Sequence, residues 1–109
     1  MDKKTVITQD LSDLLSRYVA RIREAGIPIE KVILFGSHAR GTAKPESDID
    51  LCVVSSQFGR DYHTSMVQLR ILLSDIDRAV DVVPYTPEDL LDKYDPLAHE
   101  IRRYGIPVL

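Results

Sequence analysis

The stretch FGSHARGTAKPESDIDLCVV, Phe35–Val54, decides the fold of this chain because it joins two apolar runs through a loop of small and polar residues. The second run begins with Asp48 and Asp50, one residue apart. Side chains two residues apart in a strand point to the same face. We therefore expect the two carboxylates side by side, with Ile49 and Leu51 facing the opposite way into the core. Two like charges so placed repel each other, which calls for a cation between them.

Length and composition limit what the rest of the chain can be. With 109 residues, 44% hydrophobic and 28% charged, the sequence predicts one globular domain over residues 1–109. A net charge of -3 argues against a broad nucleic-acid surface. The single cysteine, Cys52, lies in an apolar run and predicts a buried thiol in a reducing compartment. Since we find no signal segment or membrane span, we expect a cytoplasmic protein without membrane contact.

The apolar spacing around the opening stretch predicts a small α/β (α+β) domain. An amphipathic helix capped by Thr8 and stopped by Gly26 and Pro28 comes first. Short β-branched runs predict strands, and further amphipathic runs predict one long and two short helices. We expect a mixed sheet of three or four strands with helices covering a face. The predicted strands span 31–35, 48–54 and 79–85, with a last extended piece at 106–109, and the later helices fall within 60–77, 86–94 and 96–105.

The loop itself contains groups suited to phosphate. Gly36 directly follows a buried strand, where glycine lets a ligand approach the backbone closely. A helical turn starting at Ser37 would aim free N–H groups at an anion. Arg40 and Lys44 add positive charge in the same loop. Carboxylates for Mg²⁺ beside a Gly-Ser turn for phosphate together predict a site for a nucleoside triphosphate.

A third carboxylate would complete a two-metal arrangement, and Asp81 is the candidate because it interrupts an apolar strand. If its strand lies beside the Asp48–Asp50 strand, the three side chains share one face. Simpler interpretations remain open at this point. Asp48 and Asp50 can be solvated residues at a strand end, and Asp81 can be an edge-strand charge that discourages aggregation. Asp75 and Asp77, near a helix end, are expected to face solvent.

The motif GSHARG followed by SDIDL resembles the nucleotidyltransferases of the DNA polymerase β superfamily. The short chain looks like the minimal nucleotidyltransferase (MNT) group of that superfamily, and the resemblance covers nearly the whole sequence. It implies the polymerase β-like fold. By the same resemblance, Gly36 and Ser37 match the phosphate-binding pair, and Asp48 and Asp50 match two metal ligands. Further matches are Asp81 as the third metal-ligating carboxylate, which helps activate the acceptor, and Arg40 as a contact of the triphosphate.

The resemblance also implies a function. Proteins of this group act as antitoxins that transfer AMP from ATP, with two Mg²⁺ ions, to a tyrosine hydroxyl of a HEPN-domain toxin. Two alternatives stay open. One is an antitoxin that neutralises its partner by binding alone, and the other is a transferase acting on a small hydroxylated molecule such as an antibiotic. The residues do not select the acceptor, the nucleotide base or the oligomeric state.

Overall fold

The computed structural model describes residues 8–58, 61–76 and 79–109. The first helix, α1, spans Gln9–Glu24 and begins where Thr8 caps it, since the Oγ1 atom of Thr8 accepts the N–H of Leu11 at 3.2 Å. Its end is followed by Gly26, whose φ of 83° is in the left-handed region. The helix therefore begins and ends at the signals that predicted it. One face of α1 is buried and carries Leu11, Leu15, Tyr18 and Ile22.

Four strands form one mixed sheet, as the sequence predicted. They are β1 (Lys31–Phe35), β2 (Ile49–Val54), β3 (Val80–Tyr85) and β4 (Ile106–Pro107). Their order across the sheet is β3-β2-β1-β4, so β3 and β4 are the outer strands. Strand β1 runs antiparallel to β2 and β4, whereas β2 and β3 are parallel. This order brings the carboxyl end of β1 next to the amino end of β2 and β3.

The helices differ in detail from the prediction. The long helix, α3 (Tyr62–Leu73), is shorter than the predicted span 60–77, and it begins where Asp61 caps it by accepting the N–H of Thr64 at 3.2 Å. The expectation for Asp77 lies outside the described residues, whereas Asp75 is exposed and forms an ion pair with Arg21 of α1. Within the described ranges, no helix is long and apolar enough to cross a membrane. The remaining helices are α2 (Ser37–Arg40), α3 (Tyr62–Leu73), α4 (Pro87–Leu90) and α5 (Pro96–Tyr104), with a 3₁₀ turn at Ser56–Phe58.

Hydrophobic clusters cover both faces of the sheet, so the helices that were expected to cover a face pack on both. Ile49 and Leu51 belong to a cluster formed with α1 and α3. Cys52 and Val54 point to the other face, where α4 and α5 close a second cluster. The second layer forms because the amphipathic α5 buries its apolar side against β1. As predicted, the Cys52 thiol is buried, and burial raises its pKa to about 12.

Candidate active site

A glycine turn brings α2 against the acidic end of β2. Strand β1 ends at Phe35, which pairs with Asp50 of the antiparallel neighbour. Gly36 then turns the chain with φ 72° and ψ -152°, a conformation that L residues rarely adopt. A Cβ atom at Gly36 would lie 2.1 Å from Oδ2 of Asp50. The absence of a side chain at Gly36 therefore allows the Asp50 carboxylate to approach the backbone closely.

Register brings the third predicted carboxylate to the same place. Asp50 and Asp81 are direct partners in the parallel pairing of β2 with β3. Residues that are partners in register point to the same face of a sheet. Asp48 lies two residues before Asp50, just ahead of β2, and is exposed like Asp81. The structure thus gathers Asp48, Asp50 and Asp81 at one corner of the sheet, beside the turn that starts α2.

The electrostatics of this corner are unfavourable for a bare carboxylate. The pKa of the half-buried Asp50 is raised, first by burial and then by the charges of Asp81 and Asp48. His38 acts in the opposite direction. Its Nε2 lies 3.1 Å from the backbone oxygen of Ser47, which ties α2 to the loop before β2. Asp50 is therefore poised for a positively charged ligand, because a cation would relieve both the burial and the repulsion.

The three carboxylates suit a metal ion that also binds the phosphates of a substrate. Within 8–58, 61–76 and 79–109, no three His, Cys, Asp or Glu side chains stand close enough to enclose an ion by themselves. Mg²⁺ does not need such a cage, since it normally uses one or two carboxylates together with waters and substrate phosphates. Oxygen donors at a like-charged corner, with Asp50 half-buried and Asp48 and Asp81 exposed, match that requirement. The metal-binding role of the three aspartates stays a prediction.

Arg40 is turned toward α5. Its Nη2 lies 3.4 Å from Oε1 of Glu100, and its Cζ lies 4.5 Å from the ring centroid of Tyr104. Lys44 is placed differently, because it lines a cavity of 680 Å³ between the loop and the start of α1. Sequence reasoning missed Glu100 because it lies 60 positions from Arg40 along the chain. Only the packing of α5 on β1 brings the two side chains together.

One curated relative is similar in sequence to about half of the chain. The protein named "Putative protein adenylyltransferase MJ0604" from Methanocaldococcus jannaschii is 41% identical over 54 residues. The matched segment is 50% of this chain and 47% of that protein. The chain therefore spans about half the length of this relative.

Solved structures share the fold. A chain titled a putative nucleotidyltransferase from Sulfolobus solfataricus superposes with a TM-score of 0.64 at 20% identity, over 88% of this chain and 77% of the other. A chain of a toxin-antitoxin structure with AMP-PNP gives 0.62 at 24% identity, over 90% and 72%. A chain of the MntA-HepT toxin-antitoxin gives 0.58 at 21% identity, over 93% and 72%. At these identities the likeness establishes the fold.

The family is established by sequence. The profile of the family described as "Nucleotidyltransferase domain" matches residues 15–107, which include β1, the glycine turn and all three aspartates. This match confirms the family that the Gly-Ser and Asp-x-Asp spacing predicted, and the fold confirms the mixed sheet expected of it. The chain therefore belongs to the nucleotidyltransferase domain family.

Proposed function

We propose that this protein is a Mg²⁺-dependent adenylyltransferase that transfers AMP from ATP to a tyrosine hydroxyl of a HEPN-domain toxin and thereby acts as its antitoxin. The observation that carries the proposal is the pairing of Asp50 with Asp81 beside the Gly36 turn. In this proposal the paired carboxylates bind metal and the adjacent turn binds phosphate. Both are required for transfer of a nucleotidyl group.

Each residue of the corner has a role in this proposal. Asp48, Asp50 and Asp81 would hold two Mg²⁺ ions, and the bound ions would supply positive charge to the triphosphate and lower the pKa of the acceptor hydroxyl. The backbone N–H groups at Gly36 and Ser37 face the phosphates. Close packing of the Asp50 carboxylate on Gly36 fixes the distance between the two halves of the site.

The proposed transfer is a single displacement at phosphorus. The acceptor oxygen forms a bond to the α-phosphorus, and the bond from that phosphorus to the oxygen bridging to the β-phosphorus breaks. Pyrophosphate leaves with the electron pair of the broken bond. Asp81 takes up the hydroxyl proton, because it is exposed on the outer strand β3 and is open to an incoming acceptor.

The nature of the acceptor is inferred from the relatives. The Methanocaldococcus relative is named as a protein adenylyltransferase, and two of the similar structures are toxin-antitoxin assemblies. These names describe those proteins. They support a protein acceptor and a toxin partner for this chain, and the resemblance of the motifs to the MNT group supports a HEPN toxin.

The test is transfer of label to the HEPN-domain protein that, by the resemblance to the MNT group, we expect to be encoded beside this one. The two proteins are incubated with ATP labelled at the α-phosphate and Mg²⁺, and the mass of the neighbour is measured. We expect the mass of one or more AMP groups on a tyrosine. The gain should disappear in Asp48→Asn/Asp50→Asn and persist in Asp95→Asn, which removes a carboxylate away from the corner.

Two outcomes would overturn the proposal in favour of another function. If the neighbour is neutralised equally well by Asp48→Asn/Asp50→Asn and carries no AMP, the protein is an antitoxin that acts by binding. If label passes to an aminoglycoside-like alcohol and not to the neighbour, the acceptor is a small molecule.

A further inference from the structure

The last residue of α2 and the second half of α5 form a small charged cluster next to the candidate active site. Arg40 ends the four-residue helix that starts at Ser37. Glu100 Oε1 lies 3.4 Å from its Nη2, and the Tyr104 ring centroid lies 4.5 Å from its Cζ. The side chains of Arg40 and Glu100 are 44% and 36% exposed, so incoming solutes can reach both.

The geometry of the Arg40–Glu100 contact is that of a weak ion pair. A guanidinium binds a carboxylate or phosphate best through two parallel hydrogen bonds of about 2.7–2.9 Å. The pair of Arg40 with Glu100 is longer and involves one nitrogen and one oxygen. Stacking on Tyr104 keeps the guanidinium plane in place without using its N–H groups. Several donors of Arg40 therefore remain for a stronger acceptor.

The position of Glu100 matters because the site nearby is already acidic. Its charge is among the causes that raise the pKa of Asp50, which places it within electrostatic reach of the carboxylate corner. The Glu100 carboxylate is paired with the arginine that points from the phosphate-binding turn.

We infer that Glu100 is a positioning residue that holds Arg40 against α5 until ATP arrives and competes with its β- and γ-phosphates for the guanidinium. This inference rests on the proposed function, since it requires the triphosphate at the Gly36 turn. It makes nucleotide affinity depend on a residue outside the Gly-Ser and Asp-x-Asp motifs. Removing the carboxylate should strengthen the binding of ATP.

The test is a titration of ATP and of AMP into the protein with Mg²⁺, followed by calorimetry. Glu100→Gln should bind ATP about two- to fivefold more tightly, the usual strength of one exposed ion pair. Its affinity for AMP should not change, because AMP has no β- or γ-phosphate. Glu24→Gln removes the same charge from α1, which packs on the opposite face, and should leave both affinities unchanged.

A second pair of variants isolates the role of Arg40. In the Arg40→Gln background, Glu100→Gln should have no effect on ATP affinity, because the competition no longer exists. Equal tightening with and without Arg40, equal tightening for AMP, or unchanged ATP affinity in Glu100→Gln would each overturn the inference and leave the proposed function intact. If no variant and no wild-type protein binds ATP, the proposed function fails and this inference fails with it.

Discussion

The two ends of the β2–β3 pair place an aspartate in opposite electrostatic environments. At the amino end, Asp50 lies beside Asp81 and Asp48, and burial together with those charges raises its pKa. At the carboxyl end, Asp95 accepts a hydrogen bond from the Tyr85 hydroxyl and another from the N–H of Leu97 at 3.0 Å. The pKa of Asp95 is lowered, mainly by the bond from Tyr85.

This difference separates a carboxylate whose charge the fold explains from one that we propose to be functional. Asp95 is satisfied by donors from the chain and caps α5, so the fold itself explains its charge. Asp50 lies among like charges, and the fold alone gives it no such explanation. Groups that the chain leaves electrostatically strained are found preferentially at functional sites. The following changes test whether the two ends differ as described.

The largest expected effect comes from closing the space beside Asp50. Gly36→Ala would place a Cβ atom 2.1 Å from Oδ2 of Asp50 and would hold alanine at a φ of 72°. We expect the free energy of unfolding, measured in urea, to fall by roughly 2–5 kcal/mol, the sum of left-handed strain and displacement of the carboxylate. Nucleotidyl transfer should be lost at the same time.

Gly26→Ala is the matched control for that change. Gly26 has a φ of 83°, but a Cβ atom there would meet nothing within 4 Å. The free energy of unfolding of Gly26→Ala should therefore fall only by the roughly 1–2 kcal/mol that left-handed strain costs, and the variant should keep its activity. Equal destabilisation by the two substitutions would show that the contact between Gly36 and Asp50 does not constrain the site.

The next largest effect is expected from removing an aspartate charge at either end of the β2–β3 pair. Asp81→Asn should lower the rate of nucleotidyl transfer by roughly a hundredfold or more, because it removes a proposed metal ligand and proton acceptor. Asp95→Asn removes one carboxylate at the other end and should leave the transfer rate of the folded protein unchanged. Comparable losses in both variants would mean that the two ends do not differ in function.

Local signals predicted much of this architecture. Thr8 and Gly26 marked the ends of α1, and the β-branched runs marked three strands to within one residue. The motifs with the Gly-Ser and Asp-x-Asp residues carried the resemblance that identified the family, since a glycine turn and the two-residue period of a strand are local properties. The prediction of a single domain over residues 1–109 stays a prediction.

Non-local features were harder to predict. The neighbours of Asp81 depended on the pairing of β3 with β2, which the element order alone left open between parallel and antiparallel arrangements. The second core layer depended on where α5 would pack. For the same reason the contact of Glu100 with Arg40 had no sequence signal, because it arises between residues that only tertiary packing brings together.

A smaller effect is expected from the hydrogen bond at the carboxyl end. Tyr85→Phe removes the donor that lowers the pKa of Asp95. At pH 7 the loss in the free energy of unfolding should be about 0.5–1.5 kcal/mol, the usual value of one hydrogen bond. The loss should shrink as the pH falls through the lowered pKa, where Asp95 is protonated in wild type. A loss that is the same at pH 7 and in acid would point to packing of the ring.

The smallest effect, and the most direct contrast between the two ends, is a gain in stability from removing the charge of Asp50. Folding raises the pKa of Asp50 and so favours its protonated form. This contribution to the free energy of unfolding is present at pH values below the pKa that Asp50 has in the unfolded chain. It is lost as the pH rises through the raised pKa that Asp50 has in the folded protein. At pH 7 with EDTA, Asp50→Asn should therefore be more stable than wild type by roughly 0.2–1 kcal/mol, the scale of a partly exposed charge interaction.

Asp95→Asn should have the opposite sign, because the pKa of Asp95 is lowered and its contribution is present at pH 7 and lost in acid. Mg²⁺ should then stabilise wild type more than Asp50→Asn, since only wild type keeps the full set of proposed ligands. Thermal unfolding with EDTA and with Mg²⁺ measures all of these differences. Destabilisation by Asp50→Asn in EDTA would mean that the fold requires the Asp50 charge, and the amino end would then be structural in the same sense as the other end.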